Sequence, residues 1–177
     1  MVPVVITFLA FLALIALSGA LAIWLAALLG RRDWIDNLLG SPALSLAWLV
    51  AAVATVGSLF LSEVAGFFPC SLCWVQRGFM YPLALVLAVP AVRRRPPRAL
   101  IWWALAGAAV AVYHYGIEHL PALDDGAFCP ASIPCSTIWV NEFGFVTIPF
   151  MAMSGFLAIA ALVQVHRRWN RAHGESQ

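Results

Sequence analysis

Four cysteines are the residues of this chain with the most chemistry open to them, and their spacing sorts them into two motifs. Cys70 and Cys73 form a C-x-x-C directly after Pro69, at the start of an apolar run. A helix N-terminus carries unsatisfied N–H groups and a partial positive charge, and both stabilise a thiolate. A lowered thiol pKa gives a better leaving group and a more populated nucleophile at neutral pH. Arg77 follows Cys73 by four residues, one turn along the same helix face. Its charge calls for a partner, and a thiolate or a bound anion is the expected one. Cys129 and Cys135 form a C-x5-C containing Pro130 and Pro134. So short a loop can be bridged, and its prolines point to a strained, labile, oxidising disulfide. Four cysteines allow three connectivities, which spacing alone leaves open.

Two plainer uses compete. Both motifs could be static disulfides of exported loops. All four thiols could instead bind zinc, although C-x5-C is not typical ribbon spacing and an oxidising compartment disfavours thiolate ligands.

Other ionisable residues lie near the same end of the chain's apolar runs. Glu118 and His119 close one run and His114 sits a turn deeper; His119 is a candidate for delivering protons to a bound group, whereas packing at the interface is the simpler role for His114. Glu63 reads as interfacial, and His166 and His173 as solvated. Trp74, between Cys73 and Arg77, could pack on a planar ligand; Trp24, Trp34, Trp102, Trp103, Trp139 and Trp169 read as belt residues near span ends. Asp124 and Asp125 read as a charged outer loop.

The elements that must hold these residues are membrane helices. Of 177 residues, 63% are hydrophobic and 10% charged, against roughly a quarter charged in a soluble domain. Five apolar stretches run from about 2–29, 43–64, 74–92, 99–120 and 142–166. Each is close to the ~20 residues that cross a bilayer, and continuous apolar runs exclude the alternating pattern of a membrane barrel. All ten basic residues are arginine, and the net charge of +2 does not suggest nucleic acid. Arg31 and Arg32, then Arg93, Arg94, Arg95 and Arg98, then Arg167, Arg168 and Arg171 fall on alternate connections. The positive-inside rule makes those connections cytoplasmic, leaving the N-terminus and both cysteine-bearing loops outside. A cleaved signal peptide over the first run fits less well: it has no basic n-region, its apolar run is too long, and cleavage would invert the arginine pattern.

The run Pro69-Cys70-Ser71-Leu72-Cys73-Trp74-Val75-Gln76-Arg77, continuing through Phe79-Met80-Tyr81-Pro82, resembles the DsbB-type disulfide bond formation family, closest to its BdbC branch. Tyr113-His114-Tyr115-Gly116-Ile117-Glu118-His119, Pro134-Cys135-Ser136, Trp139 and Phe143-Gly144-Phe145-Val146-Thr147-Ile148-Pro149-Phe150 extend the resemblance over about residues 44–165. It implies an all-α membrane protein, a four-helix bundle that reoxidises a thioredoxin-like (DsbA-type) partner and passes electrons to a membrane quinone, ubiquinone or menaquinone. By position, Cys129–Cys135 would meet the partner through Cys129, and the Cys70–Cys73 disulfide would be reduced next. Cys73 would face the quinone, with Arg77 stabilising its thiolate and the developing quinone charge. Departures from the family pattern are an extra N-terminal helix, a short second outer loop, and Gln76 where some members carry an acid.

The expectation is therefore five spans in the cytoplasmic (inner) membrane: residues 1–43 an additional helix and cytoplasmic linker, 44–166 the redox bundle, and 167–177 a cytoplasmic basic tail. The catalytic candidates are Cys70, Cys73, Cys129 and Cys135; the quinone-binding candidates are Arg77, Trp74 and His119. The rivals are a quinone reductase resembling vitamin K epoxide reductase, and a non-catalytic membrane scaffold with structural disulfides.

Overall fold

The computed structural model describes residues 1–89, 96–120, 129 and 134–174. Arg93, Arg94 and Arg95, the Asp124–Asp125 pair and Pro130 lie outside the described residues. The elements are six helices: α1 Val2–Leu28, α2 Arg32–Leu39, α3 Ala43–Glu63, α4 Ser71–Ala88, α5 Ala99–His119 and α6 Ile148–Gly174. The described residues hold no strand beyond one isolated bridge, Glu142 with Val146. This is an all-α membrane bundle, as expected.

Four helices, α1, α3, α5 and α6, are long and apolar enough to cross a membrane. α4 is 18 residues long and carries Gln76 and Arg77 inside that length. α3, α4, α5 and α6 close a ring, each packed on its neighbours, and α1 docks on the outside against α6. Burial follows from that arrangement. The most apolar window of α6 is 67% buried within the protein and that of α1 only 17%, so Val4, Phe8, Phe11 and Ile15 of α1 face outward, toward hydrocarbon.

Small residues set how closely the helices approach, because packing rather than water exclusion drives helix association in lipid. Ala47, Ala51, Ala104 and Ala111 are fully buried in one core with Phe156 and Leu83. Gly107 of α5 is one such close approach: a Cβ there would lie 2.5 Å from the Phe156 ring.

Two differences from the sequence reading stand out. The last span begins at Ile148, not near Glu142. Phe143 and Gly144 adopt positive φ (54° and 80°), which a helix does not tolerate. They turn the chain so that Glu142 and Val146 exchange backbone hydrogen bonds of 3.0 and 2.8 Å. Pro149 then sits in the first turn of α6, where no N–H is required. The second difference is α2, a short helix in the expected linker. Its Asp36 accepts from Arg168 Nε and Nη2, 2.9 Å each, a fork geometry that fixes both groups. His166 is buried rather than solvated, with Nδ1 2.8 Å from the Gly40 carbonyl. These contacts gather the described arginines outside α4 at the end of the bundle opposite the cysteines.

Candidate redox site

Cys70 is the N-cap of α4, as the motif implies: its sulfur accepts from the Cys73 backbone N–H at 3.4 Å. The next sulfur of the motif lies one turn on, and the Cys70 and Cys73 sulfurs are 3.1 Å apart. Cys129 and Cys135 are joined by a disulfide. The four cysteines pack with Leu72 and Ile117 in one cluster, in which Cys70, Cys129 and Cys135 are buried and Cys73 half-buried. The Cys70 sulfur, the Cys135 sulfur and a ring nitrogen of His114 all lie within 4.8 Å of one another. Three such donors could suit a metal, but the Cys135 sulfur is bonded to Cys129 and cannot serve as a thiolate ligand in that state.

The electrostatics favour a thiolate at Cys70. Its thiol is held well below the ordinary range, chiefly by the hydrogen bond from the Cys73 thiol; burial opposes this, and the His114 imidazole and the Cys73 amide add to it. His114 comes from the fourth apolar run and is itself 2% exposed. Its Nε2 is 3.6 Å from the Cys70 sulfur and 3.2 Å from the Cys135 carbonyl oxygen, and its Nδ1 is 3.0 Å from Gln76 Nε2.

Beyond Cys73 opens a cavity of about 380 Å³, within the range of small-molecule sites. Cys73, Gln76 and Arg77 of α4 border it, with Ser58 of α3, Ala16 of α1 and Gly155 of α6 among the remaining lining. Arg77 Nε donates to Ser58 Oγ and Nη2 to the Ser58 carbonyl, both at 3.0 Å, and Tyr81 donates to the same Ser58 hydroxyl at 3.4 Å. No carboxylate pairs with Arg77 among the described residues, so its positive charge is left to act on the cavity and on Cys73.

The structure brings together Cys70, Cys73, Cys129, Cys135 and Arg77. It places Trp74 and His119 elsewhere. Trp74 is 59% exposed and does not border the cavity; its ring lies under the Arg77 guanidinium, 5.0 Å from the centroid. His119 is exposed, bonded to the Tyr115 carbonyl at 3.0 Å, with its ring tilted by 36° against the Tyr115 ring. The residues that spacing undervalued are His114, Ser58 and Trp139. Trp139 lies on Phe67 (5.3 Å, 24°) and borders both this cavity and a smaller one at the sulfurs. For His114 a signal existed: it stands one turn inside His119 on the same helix, hence deeper in the bundle.

Residues 41–166 match the family described as disulfide bond formation protein DsbB. The chain is 44% identical over 128 residues to the probable disulfide formation protein C of Halalkalibacterium halodurans, covering 71% of this chain and 89% of that one. It is 39% identical over 115 residues to disulfide bond formation protein C of Bacillus subtilis, covering 64% and 83% respectively. No solved structure matches significantly. α1 and α2 precede the matched residues.

Proposed function

The chain belongs to the DsbB disulfide bond formation family, and on that premise we propose that it is a membrane thiol oxidase that takes electrons from an extracytoplasmic thioredoxin-like dithiol and delivers them to a membrane quinone, ubiquinone or menaquinone. The observation that carries this reading is the approach of Cys135 to Cys70 within 4.8 Å, with Cys73 on the edge of an apolar cavity. The two motifs are one thiol exchange apart, and the far sulfur opens onto a place for an acceptor.

In this reading a thiolate of the partner attacks the Cys129 sulfur, and Cys135 leaves as a thiolate. Cys135 attacks the Cys70 sulfur of the Cys70–Cys73 disulfide, and Cys73 leaves. The partner's second thiolate then resolves the mixed disulfide, releasing an oxidised partner and a Cys129 thiolate. Cys129 attacks Cys135, restoring the Cys129–Cys135 bond and leaving Cys70 and Cys73 reduced. A quinone accepts two electrons and two protons when bound. The cavity suits such a group: an apolar lining holds a ring and tail, and Arg77, fixed by Ser58, supplies the positive charge that favours anionic character beside Cys73. α4 crosses the membrane as a fifth span, with the cysteine end outside and the arginine end cytoplasmic.

The test is to supply purified protein in detergent with a reduced thioredoxin-like protein and a soluble quinone, and to follow quinone absorbance. Wild type should turn over, and Cys73→Ala and Cys129→Ala should both be inactive. No turnover by wild type across several partners and both quinone types would support a scaffold with structural disulfides instead. Turnover that survives Cys129→Ala would mean that the partner reaches the first pair directly.

A further inference from the structure

We propose that His114 is the catalytic hydrogen-bond donor for the exchange between the two cysteine pairs, serving the thiolates of Cys135 and Cys70 in turn. The inference rests on the reading that electrons pass between the pairs, and not on the quinone. His114 is the imidazole that touches both motifs among the described residues: Nε2 is 3.6 Å from the Cys70 sulfur and 3.2 Å from the carbonyl oxygen of Cys135.

The partners fix the tautomer. A carbonyl oxygen only accepts, so Nε2 carries the proton, and Nδ1 accepts from the Gln76 amide at 3.0 Å. The Nε2–H is thus held between the two sulfurs and lent to a backbone oxygen while both are bonded or neutral. When the Cys129–Cys135 bond breaks, its electron pair leaves on Cys135, and the donor turns from that residue's carbonyl to its sulfur. Cys135 attacks Cys70; the Cys70–Cys135 bond forms, the Cys70–Cys73 bond breaks, and the pair leaves on Cys73. When Cys129 regenerates its bond to Cys135, the Cys70–Cys135 bond breaks and the pair leaves on Cys70, again beside Nε2. A charge-assisted N–H···S⁻ bond at each departure lowers the cost of a thiolate in a buried cluster.

Gln76 holds this donor in place: its amide N–H points at Nδ1, which keeps the ring proton on Nε2. The other titratable groups facing His114 are Cys70 and Cys73 on α4 and Glu118 on its own helix. The segments on its remaining sides contribute Cys135, which is in its disulfide, and Pro149 of α6 among the described residues.

The experiment uses the full chain in detergent without quinone. The oxidised protein is mixed with a reduced thioredoxin-like partner and quenched in acid at intervals. Mass-tagged alkylation then scores the Cys70–Cys73 and Cys129–Cys135 pairs separately. His114→Leu should slow reduction of Cys70–Cys73 by roughly 100-fold, the lower end of acid–base effects, and accumulate the mixed disulfide at Cys129. His114→Gln keeps a donor near the Nε2 position and should recover most of the rate. A Leu variant as fast as wild type, or a folded Gln variant no faster than the Leu variant, overturns the role of His114. Because the Gln variant preserves side-chain polarity, a Gln variant that folds yet stays roughly 100-fold slower than wild type overturns it even where the Leu variant does not fold. A wild-type chain in which Cys70–Cys73 never becomes reduced overturns the relay itself, and this inference with it.

Discussion

Cys70 and Arg77 illustrate how about two turns of helix divide labour. The cap position and the neighbouring Cys73 thiol favour negative charge on Cys70, while Arg77, a turn beyond Cys73, is aimed at the cavity by Ser58. A depressed thiol pKa means that the thiolate persists as pH falls below the ordinary range of about 8.5. In the reduced protein, Cys70 should therefore react with a small alkylating reagent at neutral pH and below, with its rate falling only at distinctly lower pH than for a free cysteine. Mass spectrometry of the Cys70 peptide across a pH series checks this; a rate that falls away at the free-thiol range would contradict it. Arg77→Met should raise the KM for quinone by about ten-fold or more, the loss of a charged hydrogen-bonding group, as read from quinone absorbance.

The sequence made the cysteines and Arg77 legible because spacing alone puts them on one helix start. It could not rank His114 over His119, because the choice depends on which face of α5 meets the sulfurs. Ser58 carried no local signal: a serine inside an apolar helix becomes informative only once Arg77 is found on it. Trp139 was read as a belt residue for a similar reason, since closeness to a span end does not reveal a cavity behind it.

Among the elements, α1 precedes the family-matched residues yet borders the cavity through Leu9, Leu12, Ala13, Ile15 and Ala16. It is tied to the turn before α6 by Thr7, which donates to Glu142 at 3.1 Å, and by Phe11 on Phe143 at 5.1 Å. Enlarging a lining residue should fill the cavity without touching the sulfurs. Ala16→Phe is expected to raise the quinone KM several-fold while leaving the KM for the thioredoxin-like partner unchanged; an equal effect on both would mean that α1 supports folding only. At the α5–α6 contact, Gly107→Leu forces a side chain against the Phe156 ring and should cost about 1–3 kcal/mol, read as a lower unfolding temperature in detergent. Helix existence was legible from apolar runs, and six ends fall within a residue or two of them. The start of α6 was not, because a left-handed turn at Phe143 and Gly144 interrupts an apolar run without changing its hydropathy.

Among the described residues, the cysteines lie at one end of the bundle and the arginines other than Arg77 at the other. Arg168 is locked to Asp36 and Arg167 donates to the Pro96 carbonyl at one end, and the four sulfurs gather at the other. In the proposed topology, positive charge near the cytoplasmic leaflet holds the cysteine end outside, where disulfides persist. A membrane-impermeant maleimide applied to intact cells after mild reduction should label the native cysteines but not a single cysteine introduced at Ser176; the reverse pattern would invert the proposed topology. The all-helical membrane plan was legible because lipid restricts the chain to helices; arginine placement supplies the proposed orientation. The meeting of two distant motifs followed only from the family resemblance, since spacing does not reveal how α5 and α6 close the ring around α4.

That meeting is best tested by leaving only its two sulfurs in place. In the Cys73→Ser, Cys129→Ser double variant, Cys70 and Cys135 retain their thiols and lie within 4.8 Å of each other in the parent fold. Mild oxidation should join them in one intramolecular disulfide, identified by mass spectrometry of the linked peptides, and the bond should be cleaved by reduced partner no faster than by free thiol because Cys129 is missing. A double variant that keeps two free thiols, or that forms only intermolecular dimers, would contradict transfer of electrons from Cys135 to Cys70.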